Sequence, residues 1–139
     1  MLIDTSAVLA AIDADDGDHA AVRTLLDAAD PPFRLSPFVL SELDYLARTR
    51  LGTRPQRLLL ADVARGSYTL TPFDEADVGS ALGIMERYGD LRLSLADASI
   101  VVLAARHGDV EVATLDERHF RVLPGPGGRP FRLLPADAA

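Results

Sequence analysis

Residues 1–11, MLIDTSAVLAA, decide the fold. A short apolar run ends at Asp4, and Thr5-Ser6 leads an Ala, Leu and Val segment with no helix breaker. A buried strand whose last residue is an acid, followed at once by a helix with hydroxyl residues at its opening, accounts for that order. In open α/β sheets, ligands bind beyond the carboxyl ends of the parallel strands, where helices begin, so Asp4 is placed to send a carboxylate into that crevice. An Asp there also serves as a plain helix cap, and its position alone does not choose between the two roles. Further carboxylates arriving at the same crevice would choose.

Helix and strand signals alternate along the rest of the chain. Asp18 or His19 opens a helix with Val22, Leu25 and Leu26 at helical spacing, and Asp30-Pro31-Pro32 ends it. Phe33 to Ser36 reads as a short strand. Ser36-Pro37 then joins an N-cap to Pro at the first helical position and opens a helix to about Arg50 that carries Glu42. Leu51-Gly52-Thr53 stops that helix and starts another, Arg54 to Arg65. A strand Tyr68 to Thr71 and a helix Asp74 to Tyr88 follow. Ser94 caps an apolar helix that carries Asp97 and runs to His107. A strand Glu111 to Thr114 has Asp116 just past its end, before a helical turn Glu117 to Phe120. Pro124 to Gly128 reads as a flexible link and Phe131 to Leu134 as a last strand. This alternation predicts an α/β domain, a central parallel sheet flanked by helices with right-handed crossovers.

Composition narrows the function classes. A chain of 139 residues without Cys is long enough for one domain with its own core, and it has no disulfide, zinc-thiolate site or thiol nucleophile. No charged-then-apolar leader opens the sequence, and no apolar run reaches the roughly 20 residues of a membrane helix, so a cytoplasmic protein with no membrane partner is expected. A net charge of −7 excludes coating nucleic acid through bulk charge. One basic island interrupts the acidic chain: Arg48, Arg50, Arg54, Arg57 and Arg65 stand against Asp62 alone. The chain has no Lys, and the planar fork of Arg suits phosphate.

Four acids stand apart because they lie in apolar surroundings or at strand ends: Asp4, Glu42, Asp97 and Asp116. An unpaired buried carboxylate is costly, so such acids need a cation, hydrogen bonds or a pocket edge. Each also has an ordinary reading: Glu42 as an exposed helix residue, Asp97 as the partner of Ser94 in a capping pair, Asp116 as the stop to its strand. Hard oxygen ligands without Cys favour Mg²⁺ or Mn²⁺, held between carboxylates, waters and a substrate phosphate.

In this order, Ile3-Asp4-Thr5-Ser6, Ser41-Glu42-Leu43, Leu93-Ser-Leu-Ala-Asp97-Ala98 and Thr114-Leu-Asp116-Glu-Arg118-His119-Phe120 resemble a PIN domain of the VapC toxin type over nearly the whole chain. The resemblance implies a PIN-like domain over residues 1–135, while the small residues 136–139 read as a disordered tail. It implies that Asp4, Glu42, Asp97 and Asp116 gather at one sheet edge as catalytic metal ligands for one or two Mg²⁺ or Mn²⁺ ions, supported by Thr5 and Ser6. The implied activity is that of an endoribonuclease toxin, hydrolysing structured RNA such as tRNA or rRNA through metal-activated water and leaving a 5′-phosphate. A homodimer and a neutralising VapB-type antitoxin are implied as well.

Beside Glu42, Arg48, Arg50, Arg54 and Arg57 read either as a solvated helix face or as a rail for the RNA backbone, and Arg118 as a phosphate contact or a salt-bridge partner. His119 is placed to orient Asp116, while His19 and His107 read as residues near helix ends. Two rivals stay open: a PIN-like binding module without turnover, whose signature would be loss of one of the four acids, and a nuclease acting on DNA. A phosphotransferase of the haloacid-dehalogenase type needs a second Asp where Ser6 stands and a Lys, and a receiver-like signalling domain needs the same Lys.

Overall fold

The computed structural model describes residues 1–138. Five parallel strands form the sheet: β1 (Leu2–Ile3), β2 (Arg34–Leu35), β3 (Thr69–Leu70), β4 (Glu111–Ala113) and β5 (Arg132–Leu134). They stand in the order β3-β2-β1-β4-β5. Around them pack α1 (Thr5–Ile12), α2 (His19–Ala28), α3 (Pro37–Leu51), α4 (Thr53–Ala64), α5 (Glu75–Arg87), α6 (Leu95–His107) and the single turn α7 (Glu117–Phe120). The expected alternation of strand and helix is therefore the architecture. Among the described residues no helix is long and apolar enough to cross a membrane.

The strand order follows from burial. β1 pairs with both β2 and β4, and Leu2, Ile3, Val112 and Ala113 have no exposed surface. Parallel strand positions covered on both faces must be apolar, which Leu2-Ile3 and Val112-Ala113 are. After β1 the chain steps outward through β2 to β3, then returns to lay β4 on the other side of β1. The strand order thus reverses between β1 and β4, and a crevice opens at their carboxyl ends.

Local signals place the helix starts. The Ser36 hydroxyl accepts from Phe38 N–H at the start of α3, with Pro37 at its first position. Asp74 with Asp77 and Ser94 with Asp97 form reciprocal capping boxes on α5 and α6. Gly52, at φ 107°, ends α3 in a conformation that side chains resist, and α4 starts directly after it. The apolar helix α6 packs against β1, α3 and α5, so Ile100, Leu103 and Ala104 are fully buried. Small residues, Ala81 on α5 and Ala98 on α6, let those two helices approach closely.

Two expectations at the C-terminal end are corrected. The Pro124–Gly128 stretch is not a loose link: Pro126 is buried in a short turn, Pro124 bridges to Pro130, and Gly125 N–H donates to Arg129 carbonyl at 2.7 Å. A Cβ on Gly125 would lie 2.6 Å from that carbonyl oxygen, a backbone atom that cannot swing aside. Gly125→Ala is therefore expected to destabilise the protein by about 1–3 kcal/mol, read as a lower urea midpoint at unchanged slope. The described part of the expected tail, Ala136 to Ala138, does not run free. Asp137 accepts from Leu133 N–H and pairs with Arg121, which pulls its carboxyl down to about 2. Ala139 lies outside the described residues.

Candidate metal centre

Asp4 follows β1, Glu42 lies on the second turn of α3, Asp97 is the third residue of α6, and Asp116 precedes α7. All four line one pocket of about 320 Å³ beyond the carboxyl ends of β1 and β4, together with Thr5, Ser6 and Arg50. Asp16, from the loop between α1 and α2, lines it too, so five acids face one arginine.

Asp4 is only 6% exposed, and its side chain makes no cap bond to α1. Its Oδ2 instead accepts from the Ser6 hydroxyl and from the Thr114 hydroxyl, each at 2.8 Å. Those hydroxyls also knit the two strand ends together. Ser6 Oγ accepts from Leu115 N–H and Thr114 Oγ1 from Asp116 N–H, both at 2.9 Å. Burial raises the Asp4 pKa, the two hydroxyl bonds oppose this in part, and the charge of Asp97 adds to the rise. Burial thus penalises the ionised form of this carboxyl, a penalty that a neighbouring cation would offset.

Glu42 is raised likewise, first by partial burial and then by the charges of Asp4 and Asp97, with the nearby Thr5 hydroxyl offsetting part of the rise. Thr5 Oγ1 itself is buried and completes no hydrogen bond among the described residues. Asp97 combines its cap role with its place in the pocket, since Oδ2 accepts from Ser94 N–H at 3.2 Å. Asp116 accepts from His119 N–H at 3.3 Å. His119 Nδ1 stands 3.1 Å from Asp116 Oδ2 and 3.6 Å from Asp97 Oδ2, so this ring spans two of the acids rather than orienting Asp116 alone.

The arginines divide. Arg50 reaches the pocket wall. Arg54 and Arg57 line a separate hollow with Thr53 and Leu58 at the start of α4, and Arg48 lies over the exposed Tyr45 ring at 5.8 Å. Arg118 lines a third hollow beside His119. Among the described residues none of Arg48, Arg50, Arg54, Arg57 or Arg118 is in an ion pair, whereas Arg23, Arg34, Arg65, Arg106, Arg121 and Arg132 are.

Sequence reasoning left Thr114 and Asp16 without a role. Thr114 stood inside the quoted Thr114-Leu-Asp116 run, but its bond to Asp4 crosses 110 positions of sequence. Asp16 is one of four acids from Asp13 to Asp18, and nothing local separates it from the other three.

The donors present suit a hard divalent ion. Every candidate ligand is an oxygen, the acidic excess calls for positive charge, and the buried Thr5 hydroxyl has an unused lone pair at the pocket wall. Among the described residues no three His, Asp or Glu side chains stand close enough together to hold a metal ion between them. Mg²⁺ and Mn²⁺ do not need three, since they keep several waters and take one or two carboxylates directly.

The family model of the PIN domain matches residues 1–125. Ribonuclease VapC26 of Mycobacterium tuberculosis is 42% identical over 135 residues, covering 97% of this chain and 100% of that protein. Among solved structures, Mycobacterium tuberculosis VapC20, described as a sarcin-ricin loop cleaving toxin, aligns with a TM-score of 0.78 at 21% identity over 84% of this chain and 90% of that one. FitAcB from Neisseria gonorrhoeae aligns with a TM-score of 0.62 at 22% identity, over 84% and 87%. The two structural likenesses speak for the fold.

Proposed function

The chain belongs to the PIN domain family and, within it, to the VapC ribonuclease toxins, and on that footing we propose that it is a divalent-metal-dependent endoribonuclease cutting structured cellular RNA. The observation that carries this reading is the arrival of Asp4, Glu42, Asp97 and Asp116 from four separate elements at one pocket, with Asp4 buried and free of any capping duty. A binding module without turnover has no need of that costly arrangement. The relative at 42% identity is called a ribonuclease, which favours RNA over DNA.

Asp4, Glu42, Asp97 and Asp116 would hold Mg²⁺ or Mn²⁺, with Thr5 and Ser6 in support. The ion, when bound, supplies Lewis-acid activation of water and of the phosphodiester for in-line displacement. The chain's own residues fix the ligands. Ser6 and Thr114 lock the Asp4 carboxylate, Ser94 N–H holds Asp97, and His119 N–H holds Asp116. Arg50 meets a phosphate at the pocket mouth, and Arg48, Arg54, Arg57 and Arg118 carry the backbone on either side. Such contacts offset the repulsion an acidic protein presents to RNA. Exposed loops of tRNA or rRNA are the substrate class, because their bases are open to reading. The protein acts in the cytoplasm as a homodimer and is silenced by a VapB-type antitoxin that covers the pocket.

The test is purified protein on total cellular RNA, with Mg²⁺ or Mn²⁺ and with EDTA, mapping new 5′ ends. Discrete cuts bearing 5′-phosphate that vanish with EDTA are expected; no cuts, or random metal-independent decay, contradict the reading. For the rail, Arg54→Ala with Arg57→Ala is expected to weaken RNA binding and to flatten its log–log salt dependence by about 0.7 per lost phosphate contact, while metal affinity stays unchanged. Filter binding at several salt concentrations measures both.

A further inference from the structure

We propose that Arg92 and Arg118 form a second phosphate subsite, so that the RNA strand crosses the acid pocket between Arg50 on the α3 side and this pair on the side of Asp97 and Asp116. This rests on the nuclease reading above and adds a path and a direction to it. The hollow beside Asp116 has a volume of about 300 Å³ and is lined by Asp90, Leu91, Arg92, Arg118 and His119. His119, on the wall of this hollow, links it to the acid pocket, since its Nδ1 stands 3.1 Å from Asp116 Oδ2 and 3.6 Å from Asp97 Oδ2. A strand leaving the acids past Asp116 therefore meets Arg92 and Arg118 next.

Charge and backbone agree on what this hollow takes. Two arginines face the single acid Asp90, the reverse of the neighbouring pocket's balance. Among the described residues neither Arg92 nor Arg118 is in an ion pair. Arg92 also adopts φ 51° and ψ 49°, and it is the sole described residue other than glycine with positive φ. Glycine sits there without strain, so keeping Arg at a tight turn after Gly89–Leu91 points to a use for its side chain. The guanidinium fork matches the non-bridging oxygens of a phosphodiester.

The experiment uses Arg92→Gly, Arg118→Ala and their combination on an oligoribonucleotide that spans the mapped cut site, and on versions shortened from either end. Arg92→Gly relieves the backbone, so a loss of folding cannot explain its effect; thermal melting checks this. The expected result is a KM raised about tenfold per arginine with kcat within about twofold. The salt dependence of kcat/KM should become shallower by about 0.7 per arginine. Shortening from one particular end should erase the difference between wild type and variants, because the phosphate that reaches the subsite is gone. Unchanged KM and salt slope in the double variant, or an equal penalty on every shortened substrate, overturns the subsite. Failure of the wild-type protein to cut any RNA instead overturns the nuclease reading.

Discussion

Asp97→Asn is expected to lower RNA cleavage by more than about 100-fold while leaving the fold intact, because loss of groups that merely support a metal ligand already costs 10–100-fold. The substitution keeps shape and one acceptor oxygen, so the Ser94 N–H bond and the start of α6 survive. What it removes is a negative charge facing Asp4 and Glu42, both of which carry the influence of Asp97 on their ionisation. Cleavage of the mapped RNA at saturating Mg²⁺, alongside circular dichroism, measures both halves. Full activity in a folded variant would remove Asp97 from the site.

Asp4→Asn is expected to separate function from stability. Its pKa is raised by burial, so protonation stabilises the folded state, and in metal-free protein that stability is present below the ordinary carboxylate range and lost as pH rises through the elevated value. Where the carboxyl ionises, the metal-free wild-type protein carries a buried charge that no cation offsets. An Asn there carries none and still accepts one hydroxyl bond from Ser6 or Thr114. The metal-free variant should melt higher than wild type at pH 7, by about 4 °C for each kcal/mol relieved, and the gap should close toward pH 4. Cleavage should fall by more than about 100-fold, as for Asp97. Adding Mn²⁺ should raise the wild-type melting temperature more than that of the variant, since an ion bound only to the folded state stabilises it by mass action. A variant that melts lower at pH 7 would show that the carboxylate is a structural anchor.

Much of this was legible in the sequence because its determinants are local. Ser36-Pro37, Asp74 with Asp77, and Ser94 with Asp97 announce helix starts within four residues, and those helices begin where those residues stand. Asp4 and Asp116 were legible as acids at the ends of apolar strands, and Glu42 and Asp97 as acids in apolar helices. Their convergence on one pocket required β4 to lie beside β1, a pairing across more than 100 residues that periodicity could not show; the family resemblance implied only that the four acids gather. For the same reason the Thr114 hydroxyl on Asp4 and the reach of His119 past its neighbour Asp116 to Asp97 had no local signal. Arg92 was hidden differently. Its left-handed backbone is adopted at a turn where glycine would have been the visible cue, and here the cue is absent. The Pro124–Gly128 turn misled in the opposite sense, since composition that suggests freedom is used to bring Gly125 against the Arg129 carbonyl.

The central claim, that the four acids form one metal site, is tested most directly by calorimetric titration of Mn²⁺ into metal-free wild-type protein and Asp97→Asn, without any RNA. Saturable binding in the wild type that weakens by at least about tenfold in the variant is the expected result. Equal binding in both proteins, or none in a folded wild type, would contradict it.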